Sequence, residues 1–98
     1  MNSREYIEIG QLCDRYELEL TFFSGLEEFE LISIVSVEES RCVHLDEIRK
    51  IERMVRLHKD LDINIAGIEA VVNLLTKIET LQEELSRARG RLSLYENV

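Results

Sequence analysis

The side chains that carry out covalent, acid–base or metal chemistry in enzymes are few and scattered in this sequence. The two histidines, His44 and His58, are predicted to lie on different elements, and no carboxylate or thiol joins them at metal-ligand spacing. The two cysteines, Cys13 and Cys42, match no zinc-binding spacing and have apolar neighbours, which is typical of reduced, buried thiols. The glycines are all isolated, so no glycine-rich phosphate loop is present. We therefore expect no catalytic residue, no bound metal and no cofactor, and a protein that is not an enzyme.

Negative charge is concentrated in the first part of the chain. Residues 1–40 contain ten acidic and two basic residues and carry a net charge of −8, whereas residues 41–98 contain ten of each. An acidic surface repels nucleic-acid phosphates and attracts basic protein surfaces, so we expect a protein partner. The predicted contact residues are acidic side chains, with one of two phenylalanines as an apolar anchor: Glu19, Phe22, Glu27, Glu28, Phe29 and Glu30. Alternatively the glutamates only solvate the outer face of a small domain, although a merely soluble surface usually mixes both signs.

A basic stripe follows on the outer face of a predicted helix, formed by Arg49, Lys50, Arg53, Arg56 and Lys59. In one interpretation Arg49, Arg53 and Arg56 contact DNA phosphates. In the other, the stripe is a solvated face or pairs with glutamates of neighbouring helices, which is its commoner use and the interpretation that we favour.

The strongest structural pattern is a long helix from Ile65 to about Tyr95. Its apolar residues alternate steps of three and four, which is the seam of a coiled coil: Val71, Leu74, Ile78, Leu81, Leu85, Ala88, Leu92 and Tyr95. Asn64 is the predicted N-cap, with Ile63 stapled onto Ile68. Beyond about Ile78, the other predicted helices no longer reach along the long helix to cover its seam. We therefore expect the distal seam to pair two copies of the chain: Ile78, Leu81, Leu85, Ala88 and Leu92.

The elements before this helix are short. Residues 6–9 alternate like a strand, and apolar steps predict a helix over residues 9–16. Glu19 is expected to cap a second helix with its carboxylate, ending near Glu28. Residues 31–37 and 41–45 are β-branched runs that predict a hairpin around residues 38–40. A third helix is predicted from Asp46 to about residue 60, with inward apolar residues that include Leu61.

Two short helices followed by a two-stranded wing are the order of a winged helix-turn-helix domain. We therefore predict a mostly α fold, with a small β-hairpin wing and a long C-terminal coiled-coil helix. Residues 1–63 would form the lobe, and residues 64–98 a helix that closes the core and dimerises. The sequence contains neither an apolar run of membrane-spanning length nor an N-terminal secretory signal, so a cytoplasmic location is expected.

Two stretches carry a family resemblance. Residues 6–13, with Tyr6, Ile9, Gly10, Leu12 and Cys13, resemble the opening strand and first helix of MerR-type winged-helix domains. Residues 61–71 are similar to the joint that leads into that family's dimerisation helix. The resemblance implies a helix-turn-helix fold and, in its DNA-binding members, transcriptional regulation.

The departures from that family lie in its DNA-reading residues. Late in the recognition helix, where the DNA binders have Arg-Tyr-Tyr-Glu, this chain has Ser24, Gly25, Leu26 and Glu27. Thr21 stands at a position usually held by arginine, and Glu17 replaces the turn glycine. These changes remove cations and hydrogen-bond donors, so nucleic-acid binding is not expected.

Residues 62–92 look particularly close to the long helix of one MerR-like branch, the CbpM family. That resemblance implies binding to the J-domain of a CbpA- or DnaJ-type co-chaperone, which carries a basic helix that docks on the DnaK chaperone. Binding would block stimulation of DnaK. The alternatives are a MerR-like DNA-binding transcriptional regulator and an interaction module for another partner.

Overall fold

The computed structural model describes residues 3–96, and it confirms the predicted mostly α winged helix-turn-helix fold. A turn of 3-10 helix, Ser3–Glu5, leads into β1 (Tyr6–Glu8), α1 (Ile9–Tyr16) and α2 (Leu20–Glu28). The wing follows as β2 (Val35–Val37) and β3 (Ser40–His44). A second 3-10 turn, Leu45–Glu47, precedes α3 (Ile48–Leu61), and α4 (Ile65–Glu96) is the long helix.

The turn between α1 and α2 depends on a residue in a left-handed conformation. Glu17 has φ 55°, and its N–H donates to the Cys13 carbonyl at the end of α1. Glu19 is the N-cap residue of α2, as predicted, but its carboxylate makes no capping hydrogen bond. The predicted capping role of that side chain is therefore wrong, and the Glu19 backbone carbonyl instead accepts from Phe22 N–H at 3.1 Å.

The sheet has three antiparallel strands in the order β1-β3-β2, so β1 joins the predicted hairpin. Val37 lies opposite Ser40, which leaves a two-residue turn of Glu38 and Glu39 with φ of 51° and 66°. Such turns favour Asn-Gly because both residues have positive φ. The first half of the predicted strand 31–37 is not a strand. Leu31 and Ile32 are buried in the core instead, outside any regular element.

The core is formed by the two short helices, the sheet, α3 and the start of α4. Its largest fully buried side chains are Phe23, Ile9, Leu12, Leu26, Ile51, Met54, Ile68 and Val43. The predicted inward position of Leu61 is wrong, since this residue is 64% exposed. Leu61 is the last residue of α3, and Ile63, beyond the left-handed Asp62, packs against the core in its place.

The long helix begins as predicted, because Asn64 Oδ1 accepts a hydrogen bond from Gly67 N–H at 2.8 Å. Ile68 is fully buried, and Ile65 and Val72 pack on the core beside it. A Cβ at Gly25 would collide with Cδ1 of Ile65, so the end of the Ile65 side chain would have to shift to accommodate a larger residue there.

The distal part of α4 leaves the lobe, and its side chains from Thr76 to Glu96 are exposed. The seam residues Ile78, Leu81, Leu85 and Leu92 are 47–61% exposed. Each residue turns an α-helix by about 100°, so these seam residues point roughly 140° away from Ile65, Ile68 and Val72, which pack on the core. The seam therefore faces away from the lobe of its own chain.

Candidate protein-interaction surface

The predicted contact residues lie at the two ends of α2. Glu19 precedes its first residue, whereas Glu27 and Glu28 are its last two residues and Glu30 follows its C-cap. A nine-residue helix is about 13 Å long. The predicted set therefore does not form one cluster, and the two ends of α2 must be described separately.

The C-terminal end of α2 is stabilised by a Schellman motif. Leu31 N–H donates to the Leu26 carbonyl at 2.9 Å, and Glu30 N–H donates to the Glu27 carbonyl at 2.9 Å. Glu30 has φ 57° at the position where this motif usually has glycine. Leu26 and Leu31 are both buried, and a hydrophobic contact between these two positions often accompanies the motif. Glu30 thus presents an exposed carboxylate from a backbone conformation that is unfavourable for it.

Glu27 at the same end is tied to the wing. Arg41 Nη2 donates to Glu27 Oε1 at 3.2 Å, and both side chains are substantially exposed. An exposed ion pair of this kind contributes little stability, but it neutralises the Glu27 charge locally. The negative charge available to a partner here comes mainly from Glu28 and Glu30, which are both exposed.

The two candidate anchor phenylalanines differ in accessibility. Phe22 is buried, with 7% of its surface exposed, and packs edge-to-face on Phe23. Phe29 is 37% exposed beside Glu28 and Glu30. The accessible aromatic side chain at the C-terminal end of α2 is therefore Phe29, whereas Phe22 belongs to the core.

The N-terminal end of α2 borders an open cavity of about 530 Å³, which we call the α2 groove. Its lining residues come from three separate segments: Glu17, Leu18, Glu19, Thr21, Phe22, His58, Asn64 and Ile65. The His58 ring lies 4.7 Å from that of Phe22, and its Nδ1 donates to the Ile63 carbonyl at 3.0 Å, because that carbonyl can only accept. Of this set, sequence reasoning singled out only Glu19 and Phe22 as contact residues.

The basic stripe borders a different cavity, of about 270 Å³, between α3 and α4. Arg49, Lys50 and Arg53 line it together with four residues of α4: Val72, Leu75, Thr76 and Glu79. Arg56 is exposed and is not among the lining residues. The structure thus brings Arg49 and Arg53 together on one groove, and Arg56 follows Arg53 by about one turn of α3.

The two thiols have raised pKa values, and His44 caps the turn that precedes α3. Burial raises the pKa of the Cys42 thiol, and the Glu8 and Glu38 carboxylates raise it further. Burial and the Asp14 carboxylate likewise raise the pKa of the Cys13 thiol. His44 Nδ1 accepts a hydrogen bond from Asp46 N–H at 3.0 Å ahead of α3.

Across residues 3–96 no three His, Cys, Asp or Glu side chains are grouped so that they could hold a metal ion. No helix in this part of the chain has the length and apolarity to cross a membrane.

The family is decided by a sequence model that covers most of the chain. The model of the MerR HTH family regulatory proteins matches residues 7–89. The chain belongs to this MerR family. Its α1 and α2 are then the helix-turn-helix, and α2 is the recognition helix. No match was found among curated proteins or among solved structures.

The recognition helix of this MerR-family member lacks the usual chemistry for DNA. The sequence from Leu20 to Glu28 contains no lysine or arginine, and a glutamate flanks or ends it on each side. The only basic residue of the helix-turn-helix is Arg15, whose guanidinium lies 5.7 Å from the centre of the Tyr16 ring. The helix that enters the major groove in a DNA-binding helix-turn-helix therefore carries no positive side chain here.

Proposed function

We propose that the protein is a non-enzymatic modulator of the CbpM type. It binds the J-domain of a CbpA- or DnaJ-type co-chaperone through the acidic surface around α2, and blocks stimulation of the DnaK chaperone. The observation that carries the proposal is the recognition helix itself, which keeps its place in the fold but has Thr21 and Ser24 where DNA readers have arginine, and glutamates at both ends.

Electrostatics supports a basic protein partner. With a net charge of −8 over residues 1–40, the lobe attracts a basic helix and repels a phosphate backbone. Complementary charge mainly speeds encounter and excludes wrong partners, whereas buried apolar contacts supply much of the affinity. Phe29 beside Glu28 and Glu30 offers such an apolar contact.

The distal seam of α4 supports a homodimer. Leu81 and Leu85 are 61% and 50% exposed. They belong to a heptad pattern that continues beyond them to Leu92. A helix of this kind gains stability by burying its seam against a second helix. We expect sedimentation equilibrium to give the mass of a dimer, and Leu81→Asp/Leu85→Asp to give a monomer with a folded lobe. A monomeric parent at micromolar concentrations would contradict this.

One observation favours a second function, DNA binding by a MerR-like regulator. Arg49, Lys50 and Arg53 line one groove and could contact phosphates. That function requires a salt-dependent shift of duplex DNA, lost in Arg49→Glu/Arg53→Glu. The acidic recognition helix argues against it.

The deciding experiment is a calorimetric titration of the protein with the J-domain of the co-chaperone from the same organism. We expect micromolar or tighter binding, weakened by salt and reduced roughly tenfold or more in Glu28→Lys/Glu30→Lys. The matched control is Asp60→Lys/Glu83→Lys, which changes the net charge equally at exposed positions of α3 and α4. Equal losses in both variants would indicate a bulk charge effect, and no binding by the parent would refute the proposal.

A further inference from the structure

The α2 groove combines an apolar floor with an acidic rim. Leu18 and Ile65 are partly buried and pack against the core, and Phe22, which also lines the groove, is buried against the Phe23 and His58 rings. Glu17 and Glu19 are exposed at the edge. None of the lining residues is a lysine or an arginine. A ligand in this groove therefore meets apolar carbon below and negative charge at the opening.

The rim carboxylates have no role in the fold of the described residues. Within residues 3–96, neither the Glu17 nor the Glu19 side chain makes a hydrogen bond or an ion pair, in contrast to Glu27. Glu17 moreover occupies a left-handed position that glycine would adopt at lower cost. Two carboxylates without partners beside an apolar floor are complementary to a cation on an aliphatic stem.

We propose that the α2 groove receives a lysine or arginine side chain from a basic helix of the partner protein. The aliphatic stem lies on Leu18, Phe22 and Ile65, and the charged head lies between Glu17 and Glu19. Lysine and arginine bury their stems in this way while the charge stays close to water. The proposal rests on the proposed function only for the identity of the partner, and its chemistry can be tested without that partner.

The first test uses a probe of defined chemistry. An alanine-based helical peptide with lysine at every fourth position is titrated into the labelled full-length protein and followed by amide chemical shifts. We expect saturable shifts at residues 17–22, 58 and 64–65, and no such shifts with the same peptide carrying glutamate. Glu17→Gln/Glu19→Gln should weaken the lysine peptide at least roughly fivefold, and the charge-matched Asp60→Asn/Glu83→Gln, at exposed positions of α3 and α4, less than about twofold. Shifts centred on residues 27–30, a larger loss in the second variant, or no saturable shift would overturn the proposal.

The second test separates this proposal from the proposed function. The same two variants are titrated with the J-domain. If the J-domain binds the parent and the Glu17→Gln/Glu19→Gln variant equally well, the groove proposal is wrong and the proposed function stands. If the lysine peptide binds in the groove but the J-domain does not bind, the proposed function fails and the groove retains its chemistry.

Discussion

The two ends of α2 carry similar charge but are built differently. At the C-terminal end, the Glu27 carboxylate pairs with Arg41, whereas the Glu28 and Glu30 carboxylates are exposed and only the Glu30 backbone takes part in the Schellman motif. At the N-terminal end, the side chains of Glu17 and Glu19 make no such contacts within the described residues, and they border an apolar groove. Counting acidic residues therefore does not identify a binding surface. What matters is whether a carboxylate already has a partner and what lies beside it.

The largest effect that distinguishes the two ends is expected from their aromatic residues. Phe22→Ala should lower the free energy of unfolding by about 3 kcal/mol or more, because a buried phenylalanine leaves a cavity. Phe29→Ala should cost less than about 1 kcal/mol, since its side chain is already partly in water. Urea denaturation followed by circular dichroism measures both. Equal losses would mean that the two ends are equally packed.

The wing provides a reference for the cost of left-handed glutamates. Glu38→Asn/Glu39→Gly should raise the free energy of unfolding by about 1–2 kcal/mol, because these residues favour the positive φ of a two-residue turn. Thermal melts would show the increase. We expect binding of the lysine peptide to be unchanged, and a change would implicate the wing in the surface.

A smaller stabilisation should separate the two ends of α2 by function. Glu17→Gly and Glu30→Gly should each raise the free energy of unfolding by about 1 kcal/mol, since glycine accepts a positive φ. Only Glu17→Gly should also weaken the lysine peptide in the chemical-shift titration. Weakening by Glu30→Gly alone would place the cation at the other end of α2.

The smallest effect is expected from the ion pair between α2 and the wing. Arg41→Gln should change the free energy of unfolding by less than about 1 kcal/mol, because the pair with Glu27 is exposed. It also frees the Glu27 carboxylate. If the C-terminal end contacts the J-domain, Arg41→Gln should tighten that binding modestly in calorimetry, whereas weaker binding would mean that Arg41 itself touches the partner.

The parts of the fold with a strong local signal could be predicted from the sequence. The heptad spacing and the Asn64 cap fixed the long helix, and apolar steps of three and four gave α1. The turn at Glu38 and Glu39 could not be typed, because glutamate is not a residue that favours positive φ. Phe22 and Phe23 are adjacent and both buried, so apolar spacing in α2 did not show that Phe22 belongs to the core. It therefore did not show that Phe29, at the C-cap, is the accessible phenylalanine.

The α2 groove could not be predicted for a different reason. Its lining joins residues 17–22 to His58 and to residues 64–65, and no local spacing connects these segments. One signal was present in the sequence, since Glu17 replaces a glycine that is usual in the family. The structure shows that the backbone at Glu17 still has the left-handed conformation that suits glycine. A charged residue at such a position is worth testing for a role in binding.

The central claim, that an acidic helix-turn-helix blocks a J-domain, is tested most directly by the ATPase activity of DnaK. The co-chaperone stimulates this activity, and the protein should abolish the stimulation at saturating concentration without changing the basal rate. Glu28→Lys/Glu30→Lys should restore most of the stimulation, whereas Asp60→Lys/Glu83→Lys should inhibit like the parent. Full stimulation in the presence of excess parent protein would contradict the account.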